Sequence, residues 1–254
     1  VDTGAALTIN GGGIEDSLYH GLCGYRSGDV VLRDAVVSRN GSGSGSSYSY
    51  GGISSVTDNG SGLTLERVTA ANNTRRGVTW YGSALTITDS VMESNGGYGV
   101  YAHVNGLTVT GSTFQNNTSA GLATYSNGET YRPTLQNNTF SGNGGDGANL
   151  NGAMVLQDDL IVGNSGSGNG TNRISLGGVI TGTSTLGPQT NLPYGFTSAS
   201  IPSGGSLTLR AGTVAKSGSG GQLTVNGTLI AEGTSEFPVY LTSLKDDSVG
   251  GDTD

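Results

Sequence analysis

Six asparagines, Asn40, Asn73, Asn95, Asn117, Asn143 and Asn164, each stand ten positions after an apolar residue that opens a strand-like run: Val30, Leu63, Leu85, Leu107, Pro133 and Met154. The clearest copies run from Leu85 to Asn95 and from Leu107 to Asn117, position for position in register. A glycine followed by an apolar residue then recurs four positions after the asparagine, at Gly77-Val78, Gly99-Val100, Gly121-Leu122 and Gly147-Ala148. One repeat therefore holds at least two short strands with a corner between them. A period in the low twenties, rich in β-branched residues and without helical periodicity, is how a parallel β-solenoid reads.

Within each run the two-residue side-chain period of a strand turns leucine and isoleucine inward and threonine outward. Leu63, Leu85 and Leu107 should stack in the interior, and Thr64, Thr86 and Thr108 should form an outer row. The recurrent asparagine has its own reason. At a corner its amide can bond the backbone of its own coil and the asparagine of the next, so that a buried ladder satisfies its own polar groups.

These residues resemble the right-handed parallel β-helix repeat proteins, which share the architecture of the pectin-lyase-like superfamily. The resemblance covers roughly residues 1–180 and implies an all-β fold, a right-handed parallel β-helix of about nine or ten coils with an asparagine ladder. Right-handed winding also follows the preference of parallel crossovers. That architecture serves polysaccharide lyases, glycoside hydrolases, phage tailspikes and bacterial surface proteins alike, so function has to be argued from a site.

Hydrophobic residues make up only 33% of the chain and 47 residues are glycine, a composition that would suggest disorder in a chain without a repeat. Stacking lets short apolar runs share one continuous core, and the glycines read as corner residues where φ is positive. The net charge of −8, from 11 Lys and Arg against 19 Asp and Glu, carries no basic patch with interleaved aromatics and argues against nucleic acid as a partner. An acidic polymer would be repelled over most of this surface unless cations bridged it. The single cysteine, Cys23, excludes an intrachain disulfide and reads as a small buried side chain. No continuous apolar run is long enough for a membrane span, so none is expected. Val1 leads almost directly into a coil at Ala6-Leu7-Thr8-Ile9, the pattern of a processed protein or an excised piece.

Coils begin near Leu7, Val30, Leu63, Leu85, Leu107, Pro133 and Met154. The steps between them stay in the low twenties except from Val30 to Leu63 and from Leu107 to Pro133. These two longer steps locate insertions, one over residues 41–50 ending in Tyr48 and Tyr50, the other over residues 126–132. Insertions in solenoids map to loops on one face. Residues 1–180 are expected as one β-helix, 181–204 as a Pro, Gly, Ser and Thr-rich transition, and 205–254 as a second solenoid module ending in an acidic linker. The run Leu223-Thr224-Val225-Asn226-Gly227-Thr228-Leu229 is similar to tandem β-solenoid modules of large bacterial surface proteins.

Enzymes of the resembled superfamily use arginine or lysine as base, often with calcium, or two or three carboxylates on adjacent coils. No such set lines up here. Asp34 and Asp89 share a register position, but Arg67 and Gly111 occupy it in the neighbouring coils, and Glu93 matches Ala71 and Gln115. No catalytic residue is assigned. The fourth residue after Gly77, Gly99 and Gly121 is Tyr81, His103 and Tyr125, an aromatic column that should face outward with Tyr101 beside it. Aromatic faces on a rigid sheet stack against sugar rings, and Arg75, Arg76, Glu129 and Arg132 could add polar contacts. The plainer reading is a cross-strand ladder that stabilises the sheet. Tyr81, Tyr101, His103, Tyr125 and Arg132 are thus the candidate glycan site. Asp246, Asp247, Asp252 and Asp254 are rich in oxygen ligands, and calcium is the one cofactor the sequence suggests, against a solvated acidic linker.

The expectation is a secreted or cell-surface β-solenoid with a structural or adhesive role. Its partner would be itself, stacked end to end, or neighbouring modules of a larger surface protein. The alternative is a carbohydrate-binding or carbohydrate-active domain with polysaccharide as partner.

Overall fold

The computed structural model describes residues 4–24, 28–42, 51–55, 60–126 and 128–253. The loop tyrosines Tyr48 and Tyr50 lie outside them. Every described element is a β-strand, every paired neighbour is parallel, and the strands wind into ten coils.

The first two coils carry long first strands, β1 (Leu7–Glu15) with β2 (Leu22–Gly24), then β3 (Val30–Ser38) with β4 (Gly51–Ser55). From the third coil the long strand is broken by a corner into two. Coil three is β5 (Gly62–Glu66), β6 (Thr69–Ala71) and β7 (Arg76–Tyr81), and coil four is β8 (Ala84–Thr88), β9 (Val91–Glu93) and β10 (Val100–His103). Coil five is β11 (Gly106–Thr110), β12 (Thr113–Gln115) and β13 (Leu122–Tyr125). Coil six is β14 (Thr134–Gln136), β15 (Thr139–Ser141) and β16 (Asp146–Met154), and coil seven is β17 (Ile161–Val162), β18 (Ser165–Ser167) and β19 (Thr171–Ile180). The last three coils are β20 (Thr183–Leu186) with β21 (Tyr194–Ile201), then β22 (Ser206–Arg210), β23 (Val214–Ser217) and β24 (Leu223–Val225), then β25 (Thr228–Glu232) and β26 (Tyr240–Ser243).

Three sheets result. The first has 12 strands and forks at β3, whose first half pairs with β5 and whose second half pairs with β6. The second has 11 strands and runs from β2 to β26 through all ten coils. The third, β20-β22-β25, begins after the first has ended at β17 and β18. Residues 181–204 thus carry β20, paired in register with β22, and the whole of β21, which pairs with β19 through one register shift at Leu176 and Gly177.

The expected columns are present. Leu63, Leu85 and Leu107 are in register and buried, and Thr64, Thr86 and Thr108 are paired beside them, half-buried. In the second sheet buried Trp80 sits over buried Ala102. Phe114 and Phe140 stack at 5.0 Å between coils five and six.

The asparagine ladder closes as a chain of paired bonds. Asn73 donates its backbone N–H and its Nδ2 to Asn95 Oδ1 at 3.1 and 2.9 Å, and a second Nδ2 bond goes to Val37 O. The same pattern links Asn40 to Asn73, Asn95 to Asn117 and Asn117 to Asn143. One assignment needs correction: the next rung after Asn143 is Asn169, while Asn164 belongs to a second column at the other corner, below Asn138 and above Gln189. The reason is the coil origin. Met154 lies at the end of β16 in the second sheet, and the strand register continues from Leu135 to Ile161. That coil is therefore as long as the one from Val109 to Leu135 before it, and Asp159 stands where Pro133 stood.

The glycine column also has a different cause from the one expected. Gly77, Gly99 and Gly121 do not have positive φ. A Cβ on Gly99 would lie 2.5 Å from Gly121 O and 2.9 Å from Asn117 Nδ2, so glycine is required there by the close approach of the next coil. The positive φ values sit at the two corners instead, where glycine serves as expected at Gly111 and Gly163 and at Gly142 and Gly168, and where Arg67, Asp89 and Asn137 and Asn72, Ser94 and Asn116 take the same conformation.

Candidate functional site

Along the second sheet, residues alternate between the core and the outer face. Val78, Val100 and Leu122 face inward and are buried, so Tyr81, His103 and Tyr125, paired in register three positions on, face outward. The three rings stack nearly parallel: Tyr81 on His103 at 4.9 Å and 18°, His103 on Tyr125 at 5.0 Å and 19°. Their separation is the coil rise. The ring faces are therefore largely spent on each other, and what the column turns outward is its edge, two phenol hydroxyls and an imidazole.

Tyr101 lies beside this column, inclined by 53° to His103 and 47° to Tyr125, with its hydroxyl 3.1 Å from His103 Nε2. Tyr98 packs against it at 5.3 Å. The guanidinium of Arg76, one coil earlier, sits 4.0 Å over the Tyr101 ring and 5.3 Å from that of Tyr98. Burial among the other phenols pushes the Tyr101 hydroxyl pKa up, with the Arg76 charge opposing, and burial raises Tyr125 likewise. Both remain protonated hydrogen-bond donors at neutral pH.

Next to this cluster a cleft of about 320 Å³ is lined by Arg75, Arg76, Gly96, Gly97, Tyr98 and Ser119. It is formed by the same bend in three successive coils. Gly96 and Gly97 keep its floor low; a Cβ on Gly96 would run into Thr74 O. Arg76 is held differently from the arginines in ion pairs. Arg33, Arg39, Arg67, Arg173 and Arg210 each bond a carboxylate. Among the described residues Arg76 has no such ion pair, and its charge is held by aromatic faces.

Four of the five expected glycan-site residues, Tyr81, Tyr101, His103 and Tyr125, are thus brought together. Arg132 is not joined to them: it lies exposed at the end of the 126–132 insertion, next to Tyr131, which turns inward and is buried. Tyr98 was missed, although the residue before each column glycine, Arg76, Tyr98 and Ala120, marks a register position of its own. The outer columns continue downward with polar residues, Asn149 beside Ala123 and Asn151 beside Tyr125.

The acidic residues near the C-terminus are spread differently from a calcium loop. Asp246 accepts bonds from Thr242 Oγ1 at 2.7 Å and from Ser248, which hold its carboxyl below the usual range. Asp247 and Asp252 are exposed, and Asp254 lies outside the described residues. Among the described residues no three His, Cys, Asp or Glu side chains gather to hold a metal ion. Cys23 is half-buried, and burial raises its thiol pKa. No helix among the described residues is long and apolar enough to cross a membrane.

Against known proteins, the family described as the right handed beta helix region matches residues 1–134. Neither a comparison with curated proteins nor one with solved structures yields a match.

Proposed function

The chain belongs to the right-handed β-helix family, and from that premise we propose that it is an extracellular adhesive scaffold that binds polysaccharide on the outer face of its second sheet. The observation that carries this reading is the Arg76 guanidinium seated on Tyr101 and Tyr98 at the side of the Tyr81–His103–Tyr125 stack. A rigid row of hydroxyls and an imidazole at coil spacing offers hydrogen bonds to a polyol, and the arginine, with an open cleft beside it, favours a negative group on the sugar at this one place, against the repulsion that the net charge of −8 exerts over the rest of the surface. Binding without cleavage fits the chemistry best. The cluster contains none of the paired carboxylates that glycoside hydrolysis uses, and its guanidinium, the group a lyase would need as base, is seated on the Tyr98 and Tyr101 rings.

A panel of neutral and acidic polysaccharides, tested by array and then by calorimetry, checks this. The expected result is binding of acidic members with no release of reducing or unsaturated ends. Arg76→Ala and Tyr101→Ala should each weaken binding by roughly tenfold or more, the scale of a desolvated cation–π or charge-assisted contact. Equal binding by both variants and the parent would refute the site.

A second reading, end-to-end assembly, is supported by the last coil. Ile230, Phe237, Tyr240 and Leu241 are 41%, 55%, 40% and 57% exposed, beside edges of β25 and β26 that pair with no further described strand. Light scattering over a concentration series should then show growth that Leu241→Lys suppresses; a constant mass throughout would dismiss it.

A further inference from the structure

The chain leaves β26 and turns back along the rod. Leu244 N–H bonds Ser217 O in coil nine at 3.2 Å, and Asp246 and Ser248 close a tight turn. Gly250 then lies against Val214 and Lys216 of coil nine, and Gly251 against Asn191 of coil eight. Finally Thr253 O accepts from Asn172 N–H of coil seven at 3.2 Å. Residues 244–253, expected to end as an acidic linker, thus cross back over the coils just laid down.

Lys216 lies under this segment with no exposed surface. Its Nζ donates to Gly251 O at 2.5 Å and to Thr253 Oγ1 at 3.2 Å. Thr253 is also fully buried, and its hydroxyl donates to Leu244 O at 2.5 Å, tying one end of the segment to the other. An ammonium taken out of water is costly unless its donors are met. Two of its three hydrogens find acceptors, both on residues 251 and 253, so burial of Lys216 and closure of the segment are one event.

The landing point is equally specific. The asparagine ladder ends at Asn172, whose Oδ1 accepts from Asn169 Nδ2 at 2.7 Å and whose Nδ2 donates to Asn191 O at 2.7 Å. The segment docks on the backbone of the last rung. Beyond it no further side-chain amide continues that column among the described residues.

We propose that residues 244–253 are a strap, keyed by Lys216 and Thr253, that holds coils seven to ten together where the asparagine ladder stops, and that its opening is the first step by which these coils loosen. The strap is independent of ligand binding on the aromatic face.

Hydrogen exchange followed by mass spectrometry on the full chain tests this, with two variants. Thr253→Val keeps the shape and removes the hydroxyl that links Lys216 to Leu244. Lys216→Met keeps the volume and removes the ammonium. Each should speed exchange at least tenfold in β19, β21, β23 and β26 and leave β7, β10 and β13 at the parent rate. Unchanged exchange in coils seven to ten of Thr253→Val would overturn the proposal, as would a uniform increase over all coils. Should Lys216→Met fail to fold, Thr253→Val alone decides.

Discussion

Coils three to six and coils eight to ten share the second sheet but are held by different means. In the first group each coil hands its neighbour an asparagine whose N–H, both Nδ2 hydrogens and Oδ1 are all used, and the apolar core is buried throughout. In the second group that column has ended, the first sheet has given way to a three-stranded one, and large apolar side chains are exposed. There the coils are joined by particular contacts, the Arg210 ion pairs with Asp158 and Glu232 and the strap over Lys216. The difference teaches that a repeated polar group stabilises each coil by the same local rule, whereas a coil without it depends on contacts that reach across several coils.

The strongest way to break this contrast is to exchange an asparagine for alanine in each region. Asn95→Ala takes the acceptor from the Asn73 N–H and Nδ2 and the side-chain donor from Ala70 O, and should cost roughly 3 kcal/mol in chemical unfolding, since each unmet buried group costs about 1–3 kcal/mol. Asn226→Ala, at an exposed position in the last coils, should change stability by no more than about 0.5 kcal/mol. Equal losses would mean that the ladder is not what distinguishes the regions. Thr253→Val should fall between them, at about 1.5 kcal/mol, and should act on the C-terminal coils alone.

The smallest effect concerns acid. Arg39 holds Glu15 and Asp16, and Arg67 holds Asp34 and Glu66, all below their ordinary carboxyl pKa values, chiefly through hydrogen bonds: from Ser38 and then the guanidinium for Glu15, from the guanidinium for the others. A depressed carboxyl contributes stability above its unfolded value, near 3.8 for Asp and 4.5 for Glu, which is lost as pH falls through the folded value below it. Melting curves should therefore shift down slightly below about pH 4, in the first three coils first. Because these pairs face solvent, added salt at neutral pH should reproduce part of the shift.

Much of this was legible in the sequence because it repeats with the coil. The leucine and threonine columns, the ladder from Asn40 to Asn143 and the Tyr81–His103–Tyr125 stack all follow from one period and the two faces of a strand. What was hidden does not repeat. The turn at Asp158-Asp159 lengthens one coil, so counting from Met154 placed Asn164 in the wrong column and passed over Asn138 and Asn169. The glycine column was visible, but its cause, a carbonyl 2.5 Å from where a Cβ would stand, belongs to packing between coils. Arg76 meets Tyr101 because it opens β7 and its long side chain reaches across to the paired strand β10, a contact between coils that the repeat does not mark. The strap joins Thr253 to Lys216 and Asn172, at sequence separations that no periodicity marks.

The asparagine ladder has one further consequence. Each rung donates to the rung after it and accepts from the rung before, so the amides all point the same way along the rod, and every interior coil uses as many hydrogen bonds as it supplies. A whole coil added to or deleted from the middle would leave no orphaned group. Along this stretch the length of the rod is a quantity that duplication can change in whole steps, and because the Tyr81–His103–Tyr125 column lies on the same coils, a step there would lengthen or shorten that column too.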